Sequence, residues 1–236
     1  MTSKVNLTTS PNPVSMEVFD PPAGVASAGK SIVVAYGTEG LNGPFGTLIR
    51  SFCADVAKAG ITAVLPYYFD IVGTKPGTKS VGDALTSANM RAWATALGAA
   101  VRWCQAKQGN DRIGLVGFSR VAHIAAQTSL AVPVKCFVDF FGPMARFGML
   151  PFPAGEEMTP ALASKLPPTL IHHGKKDFFV SPSESANLST WLTAAGVPCE
   201  LHDKYDCGHP GQPELAWTDA AQKDATRATL TFLKKL

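Results

Sequence analysis

Arg112-Ile113-Gly114-Leu115-Val116-Gly117-Phe118-Ser119-Arg120-Val121-Ala122-His123 decides how the rest of the chain is read. An apolar run of β type closes on Gly117, Ser119 follows two residues later, and a helix-compatible run from Ala122 to Leu130 begins at once. Strand, sharp turn and helix, with a Ser at the turn, make a nucleophile elbow, because the tight turn lifts the hydroxyl clear of the sheet. The same turn leaves backbone N–H groups at the helix N-terminus, where they can meet a developing negative charge. The usual spacing is G-x-S-x-G, and Val121 stands in place of the second Gly. A β-branched residue there is expected to crowd the approach of helix to strand. On this stretch alone, Ser119 reads equally as a simple helix N-cap.

Strand-like and helix-like segments alternate on both sides of the elbow. Residues 31–36 and 61–66 read as strands buried on both faces, as in a parallel sheet. Helical spacing is expected over 48–59, 84–107, 183–195 and 219–236, and further strands over 135–141, 168–173 and 199–202. The pattern predicts one mostly parallel, doubly wound α/β domain over residues 31–236. Residues 1–30, rich in Pro and Gly, read as an irregular or edge-strand entry with a short strand at Met16 to Phe19. Residues 142–167 are Pro-rich and apolar, and read either as a loop packed on the core or as a cap over a site.

The 236 residues suffice for one sizeable core. At 46% hydrophobic and 17% charged, the composition is that of a globular protein and excludes disorder. A net charge of +3 with scattered Lys and Arg implies neither nucleic acid nor an anionic membrane as partner. The five Cys are far apart and lack C-x-x-C spacing, so free thiols in a reducing compartment are expected, without a zinc site. Residues 1–15 are too polar for a signal peptide and no run is long enough to cross a bilayer. These readings predict a cytoplasmic protein, a monomer or small homo-oligomer.

A Ser hydroxyl is a poor nucleophile until a base takes its proton, and the base needs a third group to orient it. The chain offers Ser119, then Asp177 just past the 168–173 strand, then His209 in a Gly- and Pro-flanked loop after the last strand. Alone, Asp177 reads as a turn residue and His209 as a solvated loop His. Together, in the order Ser, Asp, His, each at the carboxyl end of a strand unit, they read as a triad. His172 and His173 read as core or supporting residues, and Asp139 as a reserve for the triad acid. Cys207, near His209 in sequence, reads as packing.

On residues 32–42, 63–67, 113–122, 173–182 and Gly208-His209 the chain resembles the dienelactone hydrolases, the carboxymethylenebutenolidase family of small α/β-hydrolases. The resemblance runs from about Ser31 to the C-terminus, and Gly174 to Pro182 is its most specific part. It implies an α/β-hydrolase fold with Ser119 as nucleophile, His209 as base and Asp177 as orienting acid. It also implies an oxyanion hole built from the N–H of Arg120 and one near Thr38, and no metal or organic cofactor. The chain departs from the family in four places. Ser119 replaces a Cys nucleophile; Arg120 and Val121 replace Gly residues. The loop after the first core strand has Gly37 where an ungapped alignment puts the family's Glu, leaving Glu39 as the candidate. No Arg follows the catalytic His within 210–214. These departures point away from dienelactone itself and toward an uncharged ester or lactone.

The expected substrate pocket is apolar: Phe141, Met144, Phe147 and Met149 facing Tyr67 and Tyr68, with Glu39 at the rim to hold a proton or bind a substrate hydroxyl. The Arg120 side chain is expected to pair with Glu39 or Asp139 or to meet an anionic substrate. Two other outcomes fit the residues. The same triad could serve an acyltransferase, cyclase or isomerase, and Val121 suits a binding protein that has lost turnover.

Overall fold

The computed structural model describes residues 2–74, 85–109, 111–147, 150–212 and 216–235. Five strands are buried at every residue: β3 (Ser31–Ala35), β4 (Thr62–Pro66), β5 (Ile113–Phe118), β6 (Cys136–Phe140) and β9 (Thr169–Gly174). Burial on both faces is what their apolar, β-branched composition anticipates. With β1 (Thr2–Leu7), β2 (Val14–Phe19) and β10 (Cys199–Tyr205) they make one eight-stranded sheet in the order β1-β2-β4-β3-β5-β6-β9-β10. From β4 to β10 neighbouring strands are parallel; β1 with β2 and β2 with β4 are antiparallel.

Of the two readings of the first 30 residues, the edge-strand one describes Thr2–Leu7 and Val14–Phe19, which lie at one edge of the sheet. Val14, Met16 and Val18 are buried against the sheet, while β1 pairs with β2 in full register from Thr2–Phe19 to Leu7–Val14. The Pro residues that suggested irregularity fall between the strands, where missing N–H groups cost no ladder bonds.

Helices cover both faces: α1 (Gly43–Lys58), α2 (Ser87–Gln108), α3 (Arg120–Ala131), α4 (Pro160–Ala163), α5 (Pro182–Ala194) and α6 (Asp219–Leu233). Local chemistry sets their ends. Thr86 and Thr218 accept backbone N–H groups at the N-termini of α2 and α6, and Gly109 closes α2 at φ +64°. α1 starts one turn earlier than its apolar spacing suggests, because Pro44, with its fixed φ, suits the first turn. Residues 142–167 contain a hairpin of β7 (Arg146–Phe147) and β8 (Leu150–Pro151) plus α4. Met144, Phe152, Met158 and Leu166 from this segment lie in the core, while the side chains of Phe147, Met149 and Leu150 lie outside the described residues.

The join between β5 and α3 fixes the elbow. A Cβ placed on Gly117 would lie 2.4 Å from the Cα of Ala122 and 2.9 Å from the Cβ of Ala125. A Cβ on Gly142 would meet Ala122 from the other side at 2.5 Å. The close approach is thus made at Gly117, Ala122 and Gly142, and Val121 packs in the core. The crowding expected from Val121 does not occur, because its side chain leaves the helix away from that contact. Gly117→Ala should cost about 1–3 kcal/mol by overpacking, read as a fall in Tm of about 2–4 °C per kcal/mol. An unchanged Tm would show that the helix can slide without penalty.

Candidate active site

Ser119 sits between β5 and α3 with φ 56° and ψ −144°. A non-Gly residue in this region costs about 1–3 kcal/mol and persists only where its surroundings hold it. Here the Ser119 N–H donates to the carbonyl of Phe140 at 2.9 Å, and its own carbonyl accepts the N–H of Ala122 at 2.9 Å. These bonds tie the turn to the neighbouring strand and to the first turn of the helix. The loop after β3 reaches the same point at Gly37, where an added Cβ would stand 3.0 Å from the Cβ of Ser119 and 3.2 Å from the Phe45 ring. A side chain at Gly37 would press on Ser119 and the Phe45 ring. Two residues on, Glu39 is exposed.

His209 reaches Ser119 across the carboxyl ends of the strands. Its Nε2 lies 2.8 Å from Ser119 Oγ and its Nδ1 lies 2.7 Å from Asp177 Oδ2. A carboxylate only accepts, so Nδ1 carries the proton and Nε2 is left bare to accept the Ser119 hydroxyl. Edge-on packing of Phe141 at 4.7 Å and Phe179 at 5.8 Å between ring centres confines the imidazole.

The Asp177 carboxylate is saturated with donors. Oδ1 accepts the N–H groups of Phe179 at 2.9 Å and Val180 at 2.8 Å, and Oδ2 accepts from His209 and faces His173 Nε2 at 3.4 Å. Burial pushes its pKa up, but the bonds from His173, His209 and Val180 outweigh burial and bring it down to about 2. The acid is ionised at neutral pH.

One buried side chain joins the two loops. Gln212 Oε1 accepts N–H bonds from His209 and Phe178, both at 3.2 Å, while its Nε2 donates to the Lys176 carbonyl at 2.9 Å. The loops also meet where Gly174 leaves no room: a Cβ there would lie 2.3 Å from the Cys207 carbonyl oxygen. Sequence reading missed Gln212. A Gln beside Gly and Pro in a loop looks solvated, and only its burial reveals the role.

The other expected site residues divide. Arg120 begins α3 with its backbone at the elbow, and its side chain is buried; desolvation lowers the guanidinium to about 10. Thr38 follows Gly37 and is half-buried. Phe141 is a wall against His209. Tyr67 and Tyr68 are held by other partners. The Tyr67 hydroxyl donates to Glu17, which Arg50 also holds at 2.7 Å, and the Tyr68 hydroxyl donates to the Tyr36 carbonyl within a buried aromatic cluster. Met144 is fully buried. Met149 and the Phe147 side chain lie outside the described residues.

The open space lies on another side. A groove of about 590 Å³ runs between α1 and α6 from the His209 loop, with Glu39, Phe45, Leu48, Asp55, Trp217 and Lys223 among its walls. The Phe45 ring stands 3.2 Å from where a Cβ on Gly37 would lie, and the Trp217 backbone N–H donates to the His209 carbonyl at 3.4 Å, so the groove begins beside Gly37 and His209. Glu39 is the member of the expected pocket set that lines it.

Asp139, the reserve acid, is not in reach of His209. It is fully buried; Oδ1 accepts the Gly142 N–H at 2.8 Å, while Oδ2 has no partner among the described residues. Desolvation raises its pKa well above 3.8, helped by the charge of Glu184. A raised carboxyl destabilises the fold progressively as pH climbs above its unfolded value. Asp139→Asn keeps an acceptor for Gly142, so its Tm should exceed wild type by several degrees at pH 8. The gain should shrink toward pH 4, with ester turnover retained. Loss of turnover in a folded Asn variant would return Asp139 to the site.

Sheet order and elbow together define the class: the molecule has the fold of an α/β-hydrolase. Within that class the chain belongs to the dienelactone hydrolase family, whose model matches residues 19–236. A protein of Klebsiella pneumoniae assigned to the dienelactone hydrolases superposes with TM-score 0.79 at 18% identity, covering 100% of this chain and 99% of that one. A dienelactone hydrolase-like promiscuous phosphotriesterase from metagenomic libraries gives 0.76 at 18% identity, with 100% and 98% covered. A carboxylesterase of Lactobacillus plantarum gives 0.75 at 16% identity, with 100% and 97% covered. At these identities the structures share the fold. No curated protein matches the chain. Among the described residues, no group of three or more His, Cys, Asp or Glu is placed to hold a metal, and no helix is long and apolar enough to cross a membrane.

Proposed function

We propose that the protein hydrolyses an uncharged carboxylic ester or lactone through an acyl-Ser119 intermediate. The observation that carries this reading is the unbroken line of hydrogen bonds from Ser119 Oγ through His209 to Asp177. His209 Nε2 takes the Ser119 proton as Oγ adds to the substrate carbonyl, and Asp177 stabilises the imidazolium formed. The N–H of Arg120, with one from the Thr38 turn, receives the oxyanion. Collapse of the tetrahedral intermediate passes the proton from His209 to the leaving alkoxide and releases the alcohol. His209 then removes a proton from water, whose oxygen attacks the acyl carbon. Breakdown returns the proton to Ser119 and frees the acid.

The groove supports an uncharged substrate. Among its described walls Lys223 is the single cation against Glu39, Asp55 and Asp219, and no Arg is present to hold a substrate carboxylate. Phe45, Leu48 and Trp217 supply an apolar surface for the body of an ester. The test is turnover of p-nitrophenyl acetate, with a fluorophosphonate probe located by peptide mass spectrometry. Turnover with the probe on Ser119 is the expected result. A folded protein that neither turns over the ester nor takes the probe would remove the proposal.

A further inference from the structure

His173 takes no part in the reaction as proposed, yet it lies against the one carboxylate the reaction depends on. It occupies the end of β9, one residue before Gly174, with its side chain wholly buried. Its Nε2 faces two acceptors, the Val180 carbonyl at 3.1 Å and Asp177 Oδ2 at 3.4 Å. Neither has a proton to give, so Nε2 must carry one and donate to both. Its Nδ1 lies 2.6 Å from the Ser185 hydroxyl, which can donate to the bare nitrogen.

Ser185 is itself fixed. It lies in the first turn of α5, fully buried, beside Glu184, whose Oε2 accepts the N–H groups of Met144 at 2.8 Å and Ala145 at 2.6 Å. The start of α5 is thereby tied to the chain leaving β6. A continuous line of polar contacts runs from that helix to the nucleophile: Ser185, His173, Asp177, His209, Ser119, hydrogen-bonded at each link except the 3.4 Å contact of His173 with Asp177.

We propose that His173, locked by Ser185, is a positioning residue for this triad, holding Asp177 Oδ2 and the loop through Val180 so that the carboxylate stays aimed at His209. The proposal rests on the hydrolase reading above. Backbone N–H groups hold Oδ1 from the loop's own chain, so they move with it. Among the described residues, His173 is the side chain of the strand that reaches both Oδ2 and the Val180 carbonyl. Without it the loop can shift together with the carboxylate whose Oδ1 it grips, and Oδ2 moves out of line with Nδ1. Its donation to Oδ2 also makes that oxygen a poorer base, which keeps the shared proton on the imidazole.

Three variants test this: His173→Leu, His173→Gln, whose amide N–H reaches the place of Nε2, and Ser185→Ala. The readouts are kcat and KM on p-nitrophenyl acetate and the deshielded proton resonance of His209 Nδ1–H, which needs no substrate. Leu should lower kcat about 10- to 100-fold, as loss of such supporting bonds does elsewhere, with little change in KM, and should shift or broaden the resonance. Gln should restore most of kcat and the resonance. Ser185→Ala should move both in the same direction as Leu, by less, and decides the matter should the Leu variant not fold. Wild-type kcat and an unmoved resonance in Leu or, failing that, in Ser185→Ala would overturn the proposal, as would equal losses in Leu and Gln. If the wild type shows the resonance but no ester turnover, the hydrolase reading fails, and the resonance comparison still decides the role of His173.

Discussion

Ser119→Ala should lower kcat for p-nitrophenyl acetate about a million-fold, leaving only what substrate binding and oxyanion stabilisation supply over water. The size follows from the triad's behaving as a unit: without an oxygen at the elbow, His209 has no proton to take and Asp177 no imidazolium to stabilise. The fold should survive, since Ser119 is held by its backbone bonds to Phe140 and Ala122, which Ala retains. Single-turnover measurements with stopped-flow detection and an unchanged Tm are the check. Turnover within tenfold of wild type would place the nucleophile elsewhere.

Asp177→Asn is the second large effect, with kcat expected to fall about 10⁴-fold. The surroundings dictate which way the amide turns. The N–H groups of Phe179 and Val180 both donate to the Oδ1 position, so the Asn oxygen must sit there and its NH2 must sit at the Oδ2 position. That NH2 then faces His209 Nδ1 at the 2.7 Å now spanned by an imidazole N–H bond to the carboxylate. Two donors cannot share the contact, so the imidazole proton moves to Nε2 and points at Ser119. The base is still in place but has the wrong tautomer. Probe labelling of Ser119 in this variant should slow in parallel with kcat; labelling at the wild-type rate would mean that Asp177 does not orient the base.

Much of the fold was legible because parallel strands covered on both faces leave a plain signature. Residues 32–35 and 113–118 carry no charged or hydrogen-bonding side chain, residues 136–140 are broken only by Asp139, and Gly109 marks a helix end by local chemistry alone. The first strand was not legible: Thr2–Leu7 carries no apolar run, and its place is fixed by pairing with β2, a contact only the folded chain contains. In the site, Ser119, Asp177 and His209 could be picked out by residue type, order and position after strands. The pocket could not. Tyr67, Tyr68 and Met144 are apolar or aromatic in sequence whether they face a substrate or the core, and it is packing that draws them inward. Trp217 and Phe45, which do line the groove, come from helix ends whose direction the sequence does not specify. Val121 misled for a related reason. The family pattern marks where a Gly stands, whereas the steric demand in this molecule falls on Gly117 and Gly142 around Ala122.

The single side chain of Gln212 spans what are otherwise two separate loops, one bearing the acid and one the base. Loop grafting in this scaffold is therefore not modular. Replacing the 207–212 segment by one without Gln212 would take this partner from the N–H groups of His209 and Phe178 and from the Lys176 carbonyl, at a cost of about 1–3 kcal/mol for the buried His209 N–H. The two loops are inherited, and must be redesigned, as one part.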